Sequence, residues 1–225
     1  IPPDPAVEAK IAQYAQKLEA FTSVTVGQNN LNAPDGLHQC RIGECLSGLI
    51  ATDSMLDYGR AYGAQAAIIN GGGLRAPLRQ GALNLGDMLA VLPFGNKVII
   101  RDFTGEQLLA ALEHGVADNK GVGSPVLHTA GLRYVYNPAL PSGKRIVRAE
   151  LLDTGGTARP LDPAARYRVV LVDYLERRGD GYAMLAKGSP VEAPDPVDVD
   201  VLAAYIKKFS PLTALPPDRL IRQTN

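Results

Sequence analysis

The chain has 225 residues, of which 46% are hydrophobic, so it is long enough to bury one sizeable core. Its 23 basic and 23 acidic residues cancel to a formal net charge of zero, which argues against binding to nucleic acid or a membrane surface through bulk charge. No apolar run approaches the roughly 20 residues that a membrane-spanning helix needs. The sequence starts at Ile1, with no initiator methionine and no signal-peptide pattern. We therefore expect the chain to be a piece of a longer protein.

An amphipathic helix is expected at the start of the chain, over residues 5–20. Asp4 and Pro5 are the residue types that cap and open helices. Apolar residues then recur at helical spacing: Val7, Ile11, Tyr14 and Leu18. A domain boundary is expected after this helix, near residue 22.

The rest of the chain predicts mainly helices in its earlier part and antiparallel-type strands in its later part. Strands are expected over residues 24–26, 66–69, 97–103, 132–136, 145–152 and 167–172, with a polar loop over residues 27–39. Helices are expected over residues 44–58 and 84–91, after a capping box at residues 104–107, and after an Asp195-Pro196 cap. The last helix is expected to bury Val201, Leu202, Tyr205, Ile206 and Phe209. This order favours an α+β domain, a mixed sheet with packed helices, over a doubly wound parallel sheet.

Three consecutive glycines at residues 71–73 stand between Asn70 and Arg75, directly after an apolar stretch. Backbone without Cβ atoms bends sharply and lets a ligand approach closely. The flanking amide and guanidinium offer hydrogen bonds to a ligand that is anionic and rich in hydroxyl groups, such as a nucleotide. A purely structural turn with a solvated arginine is the alternative.

Cys40 and Cys45 are the two cysteines, and no further cysteine or nearby histidine completes a four-ligand metal site. The alternatives are a local disulfide, which the spacing favours, and two unrelated thiols. A disulfide would place the protein in an oxidising compartment.

Four segments occur in the order and rough spacing of one family: Asn-Gly-Gly-Gly-Leu-Arg at 70–75, Leu-Pro-Phe-Gly-Asn at 92–96, Leu-Glu-His at 112–114 and Gly-Asp-Gly-Tyr at 179–182. As a set they make the chain resemble the C-terminal domain of the 5′-nucleotidases, the family that includes ecto-5′-nucleotidase and bacterial UDP-sugar hydrolase. The first helix resembles the helix that joins the two domains of that family. The resemblance therefore implies an interdomain linker helix at residues 1–21 and a substrate-binding domain at residues 22–225.

The resemblance also implies a division of labour. In that family an N-terminal metallophosphoesterase domain holds two divalent metal ions and performs the hydrolysis, while the C-terminal domain holds the nucleotide. The residues agree, because His38, His114 and His128 are widely separated and no Asp-x-His or Gly-Asn-His run is present. We expect no catalytic residue, no metal ligand and no bound cofactor in this chain. His114 is expected to interact with the carbonyls at the end of its helix.

The resemblance assigns eight residues to substrate binding: Arg41, Asn70, Gly72, Gly73, Arg75, Phe94, Tyr174 and Asp180. Phe94 and Tyr174 would stack on the two faces of the base. Asp180 would accept hydrogen bonds from the ribose hydroxyls, with the Asn70 amide beside the ribose or the base. Arg41, directed by a Cys40–Cys45 disulfide, and Arg75 would bind the phosphate side.

Each of these residues also has a structural alternative. Arg41 is equally typical of an exposed loop, Asn70 of a residue that caps its own turn, and Asp180 of a residue that shapes its turn. Tyr174 stands where relatives usually have phenylalanine, and it would otherwise pack in the core. Arg178 stands where relatives usually have glycine, so the loop around Asp180 is expected to run differently.

The sequence thus indicates the nucleotide-binding domain of a periplasmic or extracellular 5′-nucleotidase-like hydrolase. Its expected partners are a nucleotide or nucleoside and the missing metal domain. The alternatives are a stand-alone nucleotide-binding module, a remnant that has lost its ligand, and a family member that acts on UDP-sugars or cyclic nucleotides. The aromatic pair favours a nucleotide over a sulfur compound.

Overall fold

The computed structural model describes residues 4–32, 39–117 and 126–223. The α-helices in these ranges are Pro5–Thr22 (α1), Gln39–Ile42 (α2), Leu46–Arg60 (α3), Leu85–Val91 (α4), Gly105–Gly115 (α5), Asp173–Glu176 (α6) and Asp198–Phe209 (α7). Short 3-10 helices cover Gly71–Gly73, Gly179–Gly181 and Ala183–Lys187. No described helix is both long enough and apolar enough to span a bilayer.

The described strands form three sheets. Their bounds are Thr25–Asn29 (β1), Ala66–Asn70 (β2), Gly81–Asn84 (β3), Val98–Thr104 (β4), Leu127–Ala130 (β5), Leu132–Tyr136 (β6), Ile146–Leu152 (β7), Ala158–Pro160 (β8), Arg166–Val172 (β9), Ser189–Pro190 (β10) and Leu220–Arg222 (β11). A five-stranded sheet has the order β10-β4-β9-β2-β5, a four-stranded sheet the order β11-β6-β7-β8, and β1 pairs with β3. Two parallel pairs, β2–β9 and β11–β6, stand among antiparallel ones, so the expected mixed α+β fold is confirmed.

The five-stranded sheet brings three chain segments together where its central strands end. Because β2 and β9 are parallel neighbours, their C-terminal residues lie at the same side of the sheet, β2 with Asn70 and β9 with Val172. β4 runs antiparallel to β9 and pairs Val98 with Val172, so the segment that leads into β4 arrives there too. The centre of this sheet is buried, as the apolar runs of β2 and β9 predict. A rigid core thus carries loops from three distant parts of the sequence.

Capping residues define the helix starts where the sequence contains them. Thr104 and Gln107 form the expected capping box ahead of α5, and Asn84 and Asp87 form another ahead of α4. α3 begins at Leu46, two residues after the expected start, because Cys45 occupies the N-cap and its Sγ accepts a hydrogen bond from the Gly48 amide.

The prediction of an Asp195-Pro196 cap on the last helix is wrong. The backbone at this point is used for sheet contacts: the Val98 amide donates to the Pro196 carbonyl, and Lys97 forms a bridge with Val197. α7 therefore begins only at Asp198. Its Phe209, expected in the core, is 44% exposed and lies against Tyr205.

α1 forms as expected and extends to Thr22. The Asp4 side chain caps it, accepting a hydrogen bond from the Ala6 amide. Its apolar residues Val7, Ile11 and Tyr14 are each more than half exposed, so no described part of this chain covers that face. The Leu18 side chain lies outside the described atoms, as does His38.

Candidate functional site

A cavity of about 350 Å³ opens at the edge where β2 and β9 end and β4 begins. Its lining residues are Arg41, Asn70, Gly72, Gly73, Arg75, Phe94, Asn96, Tyr174 and Asp180. All eight residues that the sequence assigns to substrate binding are among them. The structure therefore places these residues together in one cleft, although they are spread over 140 positions, from 41 to 180.

Two glycines of the run, Gly72 and Gly73, line this cavity. A Cβ atom at Gly71 would lie 1.8 Å from the Cys40 carbonyl oxygen, so only glycine lets the disulfide loop approach the turn. A Cβ at Gly72 would lie 3.1 Å from Asp180 Oδ2 and 3.2 Å from Asn70 Nδ2. The turn thus lies against the disulfide loop on one side and against the Asn70 and Asp180 side chains on the other.

Cys40 and Cys45 form a disulfide with their Cα atoms 5.1 Å apart, which settles the alternative of two free thiols. The bridge closes a loop of six residues that carries Arg41, and Arg41 lines the cavity. His128 on β5 lies beside the bridge: its Nε2 is 2.9 Å from the Cys40 carbonyl oxygen and 3.8 Å from Cys45 Sγ. The backbone beside Arg41 is thereby held by the disulfide and by a residue of the central sheet.

Burial lowers the pKa of His128 to about 4, so this ring is neutral at physiological pH. A neutral ring that donates from Nε2 to the Cys40 carbonyl leaves Nδ1 as the acceptor, and Nδ1 has no hydrogen-bond partner. Cys40, Cys45 and His128 are close enough to surround a metal ion, but both sulfurs are joined in the disulfide and are not thiolate ligands. Within the described residues this set does not fit a two-metal centre.

Two partly exposed aromatic rings line the cavity. Phe94 is 59% exposed and Tyr174 is 38% exposed, which excludes the alternative that Tyr174 packs in the core. The Arg75 guanidinium carbon lies 5.9 Å from the Phe94 ring centroid. A Cβ at Gly179 would lie 2.3 Å from the Tyr174 ring, so the glycine makes the space that this ring occupies.

The Asp180 carboxylate is held from two sides. Asn70 Nδ2 donates to Asp180 Oδ2 at 2.7 Å, and the Tyr174 hydroxyl donates to Asp180 Oδ1 at 2.8 Å. This last hydrogen bond raises the pKa of the Tyr174 hydroxyl. The Asn70 side chain makes no capping hydrogen bond to its own turn, so that alternative is wrong.

The loop that carries Asp180 is strained. Arg178 has φ 68° and Asp180 has φ 51°, in the left-handed region that glycine favours. Arg178 thus adopts a conformation of the kind a glycine would take, at a cost of about 1–2 kcal/mol. The expectation that this loop runs differently from that of relatives stays a prediction.

His114 helps to hold this loop. Its Nε2 is 2.8 Å from the Asp180 carbonyl oxygen, and its ring packs edge-on against Tyr182 at 4.6 Å between centroids. The expected interaction with the carbonyls at the end of its own helix is therefore wrong. The Leu-Glu-His segment was the signal that could have identified this role.

Asn96 lines the cavity and was not among the expected site residues. Its Nδ2 donates to Asp198 Oδ2 at 3.2 Å, and Asp198 is buried at the start of α7. Burial raises the pKa of Asp198 to about 6. The signal for Asn96 lay in the Leu-Pro-Phe-Gly-Asn segment, because it stands two residues after Phe94.

Comparisons with known proteins identify relatives over most of this chain. A family described as "5'-nucleotidase, C-terminal domain" matches residues 22–187. Among curated proteins, a snake venom 5'-nucleotidase of Naja atra is 31% identical over 221 residues, which cover 92% of this chain and 42% of the relative. The 5'-nucleotidase of Homo sapiens is 27% identical and aligns with 93% of this chain and 39% of its own.

Among solved structures, a 5'-nucleotidase precursor from Thermus thermophilus superposes with a TM-score of 0.89 at 31% identity, covering all of this chain and 44% of that one. The chain thus spans about two fifths of the length of these relatives. On the family match over residues 22–187, the chain belongs to the 5'-nucleotidase family and corresponds to its C-terminal domain.

Proposed function

We propose that this chain binds the substrate of a 5'-nucleotidase-type hydrolase that converts nucleoside monophosphates to nucleosides and phosphate. One observation carries the proposal: two exposed aromatic rings, two arginines and a hydrogen-bonded carboxylate line a single cavity. Each group matches one part of a nucleotide, and a purely structural cluster would not leave both rings exposed.

The base is held by Phe94 and Tyr174. Stacking on an aromatic ring contributes about 1–3 kcal/mol per base and tolerates different bases, because every base has a flat face. Asn96, two residues after Phe94, also lines the cavity, and its amide offers both a donor and an acceptor to a base edge.

The ribose is held by Asp180 and Asn70, and the phosphate by Arg41 and Arg75. A carboxylate accepts hydrogen bonds from ribose hydroxyls, and guanidinium groups pair with phosphate oxygens in a bidentate geometry. Two arginines in one cavity repel each other until an anion compensates their charge, which favours an anionic ligand. The bare backbone at Gly72 and Gly73 lets that ligand come close.

Hydrolysis belongs to another part of the protein in this proposal. A preceding metallophosphoesterase domain would hold two divalent metal ions, which would supply the activated water. We propose that residues 1–21 are the linker to that domain. The exposed apolar face of α1 supports this, because such a face requires a covering surface.

An extracellular or periplasmic location is part of the proposal. The Cys40–Cys45 disulfide persists in an oxidising compartment, and relatives include venom proteins. A stand-alone nucleotide-binding module is the second candidate, favoured by the fact that this chain supplies groups for the base, the ribose and the phosphate in one cavity.

Titration calorimetry on this chain tests the binding function. We expect weak binding of adenosine and tighter binding of AMP, with ribose 5-phosphate, which lacks the base, as the matched control ligand. Binding of UDP-glucose or of 2′,3′-cyclic AMP in preference to AMP would change the substrate class. If neither adenosine nor AMP binds, the proposal is wrong.

A phosphatase assay tests the division of labour. With AMP and added Mg²⁺ or Mn²⁺, this chain is expected to release no phosphate. Release of phosphate that depends on Asp180 or Arg75 would place the reaction centre here and contradict the proposal. The coding sequence that precedes Ile1 separates the two candidates: metal-binding Asp-x-His and Gly-Asn-His motifs there favour the enzyme, and their absence favours the module.

A further inference from the structure

The Asp180 carboxylate is already paired before any substrate arrives. Oδ2 accepts a hydrogen bond from Asn70 Nδ2, and Oδ1 accepts one from the Tyr174 hydroxyl. A carboxylate oxygen can accept a second hydrogen bond, so a ribose hydroxyl can still be bound. It is not needed, however, to satisfy either oxygen.

The geometry of this pairing is fixed from the backbone as well. The Asp180 amide donates to the Tyr174 hydroxyl oxygen at 3.2 Å, and His114 Nε2 holds the Asp180 carbonyl. The Tyr174 hydroxyl thus bridges the backbone and the side chain of the same residue. The Asp180 side chain is therefore already positioned before a ligand binds.

This pairing bears on discrimination between substrates. A site whose polar group is satisfied only by a substrate hydroxyl rejects an analogue that lacks the hydroxyl by a large factor, because the group is then buried without a partner. When donors from the protein already satisfy the group, the analogue leaves nothing unpaired. The difference in affinity between the substrate and the analogue that lacks the hydroxyl should then be small.

We propose that the Tyr174 hydroxyl is a specificity-determining group that makes this site accept 2′-deoxynucleotides nearly as well as ribonucleotides. The inference rests on the proposed function, since it requires the ribose to lie beside Asp180. Phenylalanine at this position would keep the stacking ring and leave Asp180 Oδ1 without its side-chain donor. Asp180 is exposed in the free chain, so once a bound nucleoside covers it the ribose hydroxyls would be the donors left for that oxygen.

The experiment compares Kd values for adenosine and 2′-deoxyadenosine, measured by calorimetry on the chain and on Tyr174→Phe. In the unaltered chain we expect the two Kd values to agree within about threefold. In Tyr174→Phe we expect 2′-deoxyadenosine to bind at least tenfold more weakly than adenosine. Tyr14→Phe, an exposed tyrosine on α1, is the matched control and should keep the ratio of the unaltered chain.

Two results would overturn the inference: a ratio above about tenfold in the unaltered chain, or an unchanged ratio in Tyr174→Phe. If Tyr174→Phe fails to fold, Tyr174→Leu removes the same hydroxyl; because the loss of stacking affects both nucleosides alike, the same increase in the ratio is expected there. Failure of the proposed function is distinguishable, because the unaltered chain would then bind neither nucleoside. Binding of both nucleosides with an unchanged ratio removes only the role of the hydroxyl.

Discussion

Nε2 of the buried His128 lies 2.9 Å from the carbonyl oxygen of Cys40, one residue before the cavity-lining Arg41. A Cβ on Gly48 of α3 would lie 2.2 Å from the same ring, which shows how closely the helix covers it. A titratable ring without access to water therefore supports the loop that presents a phosphate-binding arginine in our proposal.

This burial predicts a loss of stability in acid. The pKa of His128 is about 4 in the folded chain and has its ordinary value of 6.5 in the unfolded chain. The unfolded chain therefore takes up a proton first as the pH falls. The stability that the neutral ring contributes is complete above pH 6.5 and decreases between pH 6.5 and 4. The loss at pH 4.5 is about 2–3 kcal/mol.

His128→Gln tests this sign, because glutamine keeps a donor for the Cys40 carbonyl and does not titrate. Urea unfolding at pH 7.5 and pH 4.5 should show a smaller acid loss in the variant than in the unaltered chain. Asp198, whose pKa is raised, acts in the opposite direction in both proteins and cancels in the comparison. Equal losses in the two proteins would contradict a buried, neutral His128.

Phe94→Ala is expected to weaken adenosine binding about 10- to 100-fold. The substitution removes one of the two stacking faces, each worth about 1–3 kcal/mol, and the exposed position of Phe94 means that the fold is little affected. Calorimetry measures the change. Phe209→Ala removes another partly exposed ring far from the cavity lining and should leave the affinity unaltered. Equal adenosine affinities of the two variants would show that Phe94 does not stack on the base.

Arg75→Gln is expected to lower the affinity for AMP at least tenfold and the affinity for adenosine much less, because a charge-assisted hydrogen bond to phosphate contributes about 1.5–3 kcal/mol. The ratio of the two Kd values is the measurement. Arg159→Gln, on β8 and outside this cavity, serves as the control for loss of one positive charge. A parallel loss for adenosine and AMP would instead indicate that Arg75 acts through its contact with Phe94.

Replacing both Cys40 and Cys45 by serine is expected to weaken AMP binding through Arg41. Removal of a bridge over so short a loop costs about 2 kcal/mol of stability on the chain-entropy estimate, so the folded state should persist. Thermal unfolding and AMP titration are measured together. Loss of stability with full AMP affinity would show that the bridge does not direct Arg41.

The sequence predicts the residue types of the site better than their contacts. Asn70, Phe94 and Asp180 could be identified because glycine turns and segment order mark them. The hydrogen bond between Tyr174 and Asp180 could not, because it depends on the left-handed conformation of a loop that contains Arg178. Asn96 was missed for a similar reason, since its amide contacts a residue of α7 about 100 positions away.

In the fold, too, local features could be predicted from the sequence and long-range pairing could not. Long elements with caps, such as α5, and the apolar strand β9 follow from periodicity and capping. The short strands β5, β8 and β11 were not predicted, because three or four residues carry too little pattern and their pairing is decided by neighbours distant in sequence. Asp195-Pro196 has the composition of a helix cap, but the Pro196 carbonyl accepts a hydrogen bond from the Val98 amide of β4, and the helix begins later.

The register of β2 against β9 pairs Ala66 with Val169 and Ala67 with Val170, which brings Asn70 level with the start of α6. A slip of one residue would move Asn70 by about 3.3 Å and turn its side chain to the opposite side of the sheet. Ala66 and Ala67 are fully buried, so a larger side chain at either position has nowhere to go without shifting the strand. Ligand affinity should therefore respond to changes in the interior that never touch the ligand, and surveys of inherited or engineered variants should weigh these alanines as heavily as the cavity wall.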